Sequence, residues 1–304
     1  MSGRVNVTDR ELLDNIAYAI RQGHPQVQPA DANAERILLV GGGPSLQETK
    51  DELIQLYYEG AKIVTVNGAY HWCLSQNLRP SVQIVVDARG HNSRFVEPAV
   101  PNCTYLLASQ CASETWKAVE GRERVWIWHA LGEGDDPIKE ILDAYYLKRW
   151  HGIAGGTTVA VRALLLLRTL GFVQFDLFGI DSCWGAREKA NPTCKVCGGR
   201  GWILANNPPT VDCECRRSRA EHHAYPQPEN DNDKRLPVRI SPLDDSHEGK
   251  EFWVAPWHLV QFENYLNLMS TVAEAFGRIT IHGDGMLAYA MQPLGGDVKI
   301  TKEG

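Results

Sequence analysis

Four cysteines stand in two close pairs, Cys194-x-x-Cys197 and Cys213-x-Cys215, with fifteen residues between the pairs. Thiolates are soft ligands. Four at this spacing suit one tetrahedral zinc with no open coordination position, so the expected role is structural. Gly198, Gly199 and Gly201 follow the first pair and let backbone amides turn toward the sulfurs. Such a knuckle shapes a lid, docks a macromolecular acceptor, or simply staples a long loop. The other four cysteines, Cys73, Cys103, Cys111 and Cys183, lie among apolar residues and read as buried thiols.

A second kind of chemistry is written at strand ends. Ile37 to Val40 runs into Gly41, Gly42, Gly43, Pro44 and Ser45, and a helical pattern follows from about Gln47. A buried strand, a glycine turn and a helix start are what an anion site needs, because glycines admit close approach and the first amides of a helix are unpaired. A plain structural turn is the competing reading. Gly155-Gly156-Thr157-Thr158 before another apolar helix offers a second such site, or an ordinary N-cap. Asn67, Asp87 and Asp181 each end an apolar stretch, where they gather at one crevice of a parallel sheet or serve as turn residues. Asp87 and Asp181 are suited to hold a divalent cation or ribose hydroxyls. His222 and His223 follow the cysteine segment. A histidine beside a phosphate pocket suits a general base, while the alternatives are a surface residue or a replacement zinc ligand. His282-Gly283-Asp284-Gly285 repeats the glycine theme. Trp126, Trp128, Trp253 and Trp257 read as core residues or as stacking platforms for a base or sugar.

These residues need a scaffold that brings strand ends together. Thr8 and Glu11 form a capping-box pair ahead of an amphipathic helix, and Gln26 to Ala34 reads as a connector. Strands are expected at 37–40, 63–67, 82–87, 104–109, 125–128, 175–180 and 278–281. Helices are expected at 48–58, 69–75, 158–170 and 259–276. This alternation predicts an α/β fold, Rossmann-like, with a mostly parallel sheet and helices on both faces. Residues 185–222 read as a small zinc-binding insertion. The expected organisation is 1–34 as N-terminal helix and connector, 35–290 as the Rossmann-like domain, and 291–304 as a tail.

Composition narrows the classes. The net charge of −6 argues against a sequence-blind nucleic-acid coat, although Arg216, Arg217 and Arg219 form a local basic patch. No apolar run is long enough to span a bilayer and the N-terminus lacks a secretory design, so the cytoplasm is the expected location.

Taken in order, Val40 to Leu46, Val66-Asn67-Gly68-Ala69, Leu78-Arg79-Pro80 with Val86-Asp87, and Gly155 to Thr158 with Phe178-Gly179-Ile180-Asp181 resemble the MptE-like domain family. That family includes 6-hydroxymethylpterin diphosphokinases and motility-associated factors linked to flagellin glycosylation. The Gly-Pro-Ser-Leu, Asn and His223-Ala224-Tyr225 elements are also similar to those of bacterial sialyltransferases. The first cysteine pair resembles DnaJ-type zinc repeats, from which the second pair departs. The family resemblance implies a nucleotide site in which Gly42, Gly43 and Ser45 cradle phosphate, with Pro44 in the same turn. Asn67 and Asp87 would contact nucleotide or metal, Asp181 would line the reaction centre, and His223 would act as base. The expected activity is a glycosyltransferase using a nucleotide sugar on a small-molecule or macromolecular acceptor. The alternatives are an ATP- and magnesium-dependent diphosphokinase, and a zinc-bearing nucleic-acid binding module.

Overall fold

The strand β1 (Asn33–Val40) ends in Ile37, Leu38, Leu39 and Val40, all buried. Ile37 and Leu39 join one core, and Leu38 and Val40 join another. Successive side chains of a strand point to opposite faces, so β1 must be covered on both. Burying each such side chain contributes roughly 1.5–3 kcal/mol, which fixes β1 at the centre of the sheet.

The computed structural model describes residues 7–132, 134, 136–156, 158–186, 193–196, 202–204, 210–212, 224, 235–241 and 249–291. The first elements are α1 (Asp9–Arg21), β1, α2 (Lys50–Tyr58), β2 (Lys62–Val66), α3 (Ala69–Ser75), β3 (Val82–Val85) and β4 (Thr104–Ala108). Then come α4 (Ser113–Ala118), β5 (Val125–Ala130), α5 (Asp136–Tyr146), β6 (Gly152–Ile153), α6 (Val159–Thr169), β7 (Phe172–Phe178) and β8 (Gly185–Ala186). The last are β9 (Trp202–Leu204), β10 (Thr210–Asp212), β11 (Leu236–Ile240), β12 (Lys250–Val254), α7 (Pro256–Val272), β13 (Arg278–Ile281) and α8 (Met286–Met291).

Eight strands form one sheet in the order β13-β7-β1-β2-β3-β4-β5-β6, and every pairing is parallel. The fold is Rossmann-like α/β. From β1 the chain steps outward to β6. It returns through α6, which packs on β2, β3, β6 and β7, and places β7 on the other side of β1. Strand order therefore reverses between β1 and β7, the place where open parallel sheets bind ligands at their carboxyl edge. The helix α6 is apolar almost all round, with Ala160, Val161, Ala163, Leu164, Leu166 and Leu167 buried, because it lies between the sheet and α7.

The expected alternation is present, with shifted boundaries. A 3-10 turn (Pro44–Gln47) precedes α2, which starts at Lys50 rather than Glu48. The third strand stops at Val85, two residues before Asp87. The last long helix begins at Pro256, whose missing N–H suits a first helical position. Between Trp184 and Phe252, where little periodicity is visible, there is a three-stranded sheet of β11, β12 and β8 and a β9–β10 hairpin. Among the described residues no helix is long and apolar enough to cross a membrane.

Candidate functional site

The glycine turn after β1 runs alongside the end of β7. Gly41 N–H donates to Phe178 O (2.8 Å) and Gly43 N–H donates to Gly179 O (2.8 Å). Ser45 N–H donates to Asp181 Oδ2 (2.9 Å), and the Ser45 hydroxyl donates to Asp181 Oδ1 (2.5 Å). A side chain at Gly41 would meet Gly179 O at 2.5 Å, and one at Gly43 would overlap Asp181 Oδ2. The glycines are thus required by the close approach of two backbones. That is the structural-turn reading, and it corrects the expectation that the amides of Gly43 and Ser45 stand open to an anion. Gly42 is placed differently: its carbonyl accepts from Ala224 N–H (2.9 Å). This bond brings Ala224 to the glycine turn; His223 and Tyr225 lie outside the described residues.

Asp181 sits beneath this turn rather than along an open crevice. It is 4% exposed, and the loop after β13 closes over it. A side chain at Gly285 would overlap Asp181 Cβ at 2.6 Å, and one at Gly283 would meet Ser45 Oγ at 2.5 Å. Leu287 N–H donates to the Asp181 carbonyl (3.1 Å). Burial pushes the Asp181 carboxyl up to about 6; the two bonds from Ser45 oppose this, and the neighbouring Asp284 and Glu48 carboxylates add to it. The glycine segment 282–285 thus packs against the first one. His282 ties it down, lying 2.9 Å from Asp176 Oδ1 and 3.0 Å from Glu52 Oε2 and stacked on Phe178.

The neighbouring strand ends are more open in chemistry. Asn67, after β2, adopts φ +47°, a left-handed conformation that asparagine tolerates better than most residues. Its carbonyl accepts from Gln83 Nε2 (3.1 Å), while its side-chain Oδ1 is buried with no partner among the described residues. Buried acceptors are normally paired, so this one marks a position where a ligand donor fits. Gly155 and Gly156 have φ +97° and +66° and lead into α6, with Gly156 against Asn264. Thr157 lies outside the described residues. Thr158 is the N-cap of α6 but makes no side-chain capping bond, and its Oγ1 is buried without a partner among the described residues. A helix joining two parallel strands runs antiparallel to them, so this N-terminus shares the carboxyl edge with Asn67.

Asp87 is committed elsewhere. Its carboxylate pairs with Arg89 at 2.6 Å and accepts the Arg89 N–H at 3.0 Å. Burial raises its pKa, but the bonds and charge of Arg89 outweigh that and hold it below the ordinary carboxylate value. The helix α1 closes the edge next to it, since Asn15 Nδ2 donates to Ala88 O and Gln110 O (3.2 Å each). The site therefore narrows to the ends of β1, β2 and β7 and the start of α6.

Sequence reading missed the wall of this site. Gln261, buried on α7, donates from Nε2 to Ser182 Oγ (3.1 Å), and Ser182 itself is left-handed at φ +55°. A buried polar residue within an otherwise apolar helix face was the signal available. Of the four cysteines expected to bind zinc, Cys194 is half-buried; Cys197, Cys213 and Cys215 lie outside the described residues, as do Arg216, Arg217 and Arg219. The backbone between the cysteine pairs is informative: Asp212, just before Cys213, pairs with Trp202, five residues after Cys197. Among the described residues no group of three or more metal-ligating side chains occurs. The four tryptophans divide: Trp128 is buried in β5, Trp126 is partly exposed, Trp253 is half-buried in β12, and Trp257 packs against Trp184 and His258.

Comparison with known proteins adds three findings. The family described as 6-hydroxymethylpterin diphosphokinase MptE-like matches residues 10–187. The structure of a MAf glycosyltransferase from Magnetospirillum magneticum AMB-1 is similar with a TM-score of 0.58 and 16% identity over 90% of this chain, which spans 36% of that one. At that identity the likeness is one of fold. A mammalian sialyltransferase in complex with Gal-beta-1-3GalNAc-ortho-nitrophenol matches with a TM-score of 0.32 and 12% identity, covering 55% of this chain and 65% of that one, too low to carry an argument. No curated protein matches the chain.

Proposed function

The chain belongs to the MptE-like family, and on that premise we propose that it is a nucleotide-dependent transferase, moving a sugar from a nucleotide sugar to an acceptor hydroxyl. The observation that carries this reading is the pair of buried side-chain oxygens, Asn67 Oδ1 and Thr158 Oγ1, that have no hydrogen-bond partner among the described residues, at the edge where strand order reverses. The donor lies across the ends of β1 and β2. Its phosphates meet the start of α6 at Gly155, Gly156, Thr157 and Thr158, where helix amides and dipole favour negative charge. Asn67 contacts the nucleotide, and Gly42 and Gly43, with Pro44, form the floor. His223 deprotonates the acceptor hydroxyl, and the same amides stabilise the phosphate that departs. The zinc knuckle of Cys194, Cys197, Cys213 and Cys215 shapes the acceptor side; the antiparallel pairing of β9 with β10, which lie between the two cysteine pairs in sequence, supports this.

The family description favours a second reading, phosphoryl transfer from ATP with magnesium at Asp87 and Asp181. Both carboxylates already accept strong hydrogen bonds, from Arg89 and Ser45 respectively, so magnesium would have to displace them. Thermal shift with CMP, UDP and ATP separates the two. Stabilisation by CMP or UDP without metal supports the sugar-nucleotide reading. Stabilisation by ATP and magnesium alone transfers support to the diphosphokinase, and none from any of them defeats both. Metal analysis is expected to give one zinc per chain, lost in a Cys213→Ser, Cys215→Ser double variant; zinc-free wild-type protein would remove the knuckle from the reading.

A further inference from the structure

Asp181 was expected at the reaction centre, yet its surroundings are those of a support. Both carboxyl oxygens are taken by one residue, Ser45, through its amide and its hydroxyl. Gly43 lies above it and Gly285 below, each too close to bear a side chain, so no substrate atom has room to reach it from either side. We propose that Asp181 is a positioning residue for the donor loop: acting through Ser45, it holds the bend at Gly43–Ser45 from beneath and does not itself meet substrate. The inference rests on the transferase reading only in taking the donor nucleotide to lie over that loop, with its phosphates toward the start of α6.

The charges around the carboxyl give the proposal a signature. The ionisable groups facing it are Glu48 at the end of the 3-10 turn, Asp284 in the loop after β13 and the Cys183 thiol on its own segment. The first two are carboxylates, and burial keeps the thiol neutral. An ionised Asp181 thus adds a further negative charge beneath the floor on which the proposed donor, itself an anion, lies. Nucleotide binding and proton uptake at Asp181 are therefore coupled, and affinity falls as pH rises through the carboxyl's titration near 6. The Ser45 hydroxyl suits both states, because a hydroxyl donates to a carboxylate and accepts from a carboxylic acid.

The test is calorimetric titration of CMP and UDP into wild type, Asp181→Asn and Asp181→Ala from about pH 5 to about pH 8. An asparagine keeps both contacts, accepting from the Ser45 amide and donating to its hydroxyl, but carries no charge. Asp181→Asn is expected to bind within about twofold of wild type at low pH and to lose the pH step, whereas Asp181→Ala loses about tenfold in affinity. A pH step retained in Asp181→Asn, or wild-type affinity in Asp181→Ala, overturns the proposal. Should Asp181→Ala fail to fold, Ser45→Ala takes its place, expected to weaken binding, and unchanged affinity there counts against the proposal. If wild type binds neither nucleotide, the transferase reading falls by itself. The positioning role is then read from amide exchange at Gly43 and Ser45, expected to be slow in wild type and Asp181→Asn and fast in the alanine variant. Slow exchange in the alanine variant would overturn it.

Discussion

The carboxyl edge of the sheet is closed in two different ways. Over β1 and β7, glycine segments at 41–43, 179 and 283–285 pack backbone against backbone around the buried Asp181–Ser45 pair. Over β3 and β4 the helix α1 lies across the loops, and under β5 His129 is buried among Tyr146, Trp150 and Gln26. The first end is polar and exactingly shaped, and the second is closed by apolar packing. Shape at the first end is set by backbone contacts that only glycine permits. At the second, side chains fill the space, and the left-handed glycine of the loop after β5, Gly134, faces open space rather than another backbone. The proposed function accordingly assigns ligand chemistry to the first end and stability to the second.

The charged neighbourhood of β7 gives the sharpest way to break that division. Asp176 is fully buried and accepts from Arg36 (2.6 Å) and Arg278 (3.2 Å) while touching His282 (2.9 Å). Burial opposes its ionisation, but His282, Arg36 and Arg278 hold it down at about 2. Removing one partner of a buried ion pair costs about 3–5 kcal/mol. Asp176→Ala is expected near the lower figure, because Arg36 and Arg278 are about a third exposed and can turn to water. Urea unfolding measures it, and a loss below about 1 kcal/mol would mean the network contributes as little as a surface pair.

Acid titration sets the two ends against each other. The Asp181 carboxyl is raised from 3.8 to about 6, so its favourable contribution is complete below the lower value and is lost as pH rises through the upper one. Burial lowers His129 from 6.5 to about 4, so its contribution is complete above 6.5 and is lost as pH falls through 4. Each shift corresponds to roughly 3 kcal/mol at most, at about 1.4 kcal/mol per pKa unit. Between those limits the two terms oppose and wild-type stability stays nearly flat. Asp181→Asn should unmask the histidine and lose stability on acidification, and His129→Phe should gain it. Unfolding free energies of both variants near neutral and mildly acid pH check this, and slopes of the same sign would break the comparison.

Glycine substitutions sharpen it further. Valine at Gly43 would collide with Asp181 Oδ2 and with Gly179 O, and overpacking of this kind costs roughly 1–3 kcal/mol. Gly121, beyond α4, has φ +77° but open space around it. Alanine there should cost only the left-handed backbone term, about 1 kcal/mol. Melting temperatures that rank the two the other way would remove glycine packing as the organising feature of the first end.

The sequence made the scaffold legible because β1, β2 and β7 end in largely apolar runs followed by glycine or asparagine. It also pointed to the residues around the turn, since Gly43, Ser45 and Asp181 do meet. What it did not contain was direction. Nothing in Gly41-Gly42-Gly43 distinguishes an amide offered to phosphate from one offered to Gly179 O, because both require the absence of a side chain. Asp87 was misleading for a related reason: its partner Arg89 is two residues away, and a local ion pair leaves no periodic trace. The α7 wall was hidden because Gln261 and Ser182 are remote in sequence and meet only through the fold. The helices α4 and α5 were missed because each buries few residues, Thr115 and Trp116 in one and Ile138 and Leu142 in the other.

The smallest effect is the most specific test of how the second end is shut. Asn15 donates to Ala88 O and Gln110 O, while Leu12, Ile16, Ala19 and Ile20 supply the apolar contact of α1. Asn15→Ala removes two hydrogen bonds worth about 1 kcal/mol each and leaves two carbonyls that water can reach only if the helix lifts. If apolar burial alone keeps α1 in place, the loss should stay near 1–2 kcal/mol and nucleotide affinity at the first end should not change. Hydrogen exchange would then show faster opening confined to α1 and the loops after β3 and β4, with the amides of Gly43 and Ser45 still protected. Exchange spreading to that turn would join the two ends into one cooperative unit, and the division between a ligand end and a stability end would have to be given up.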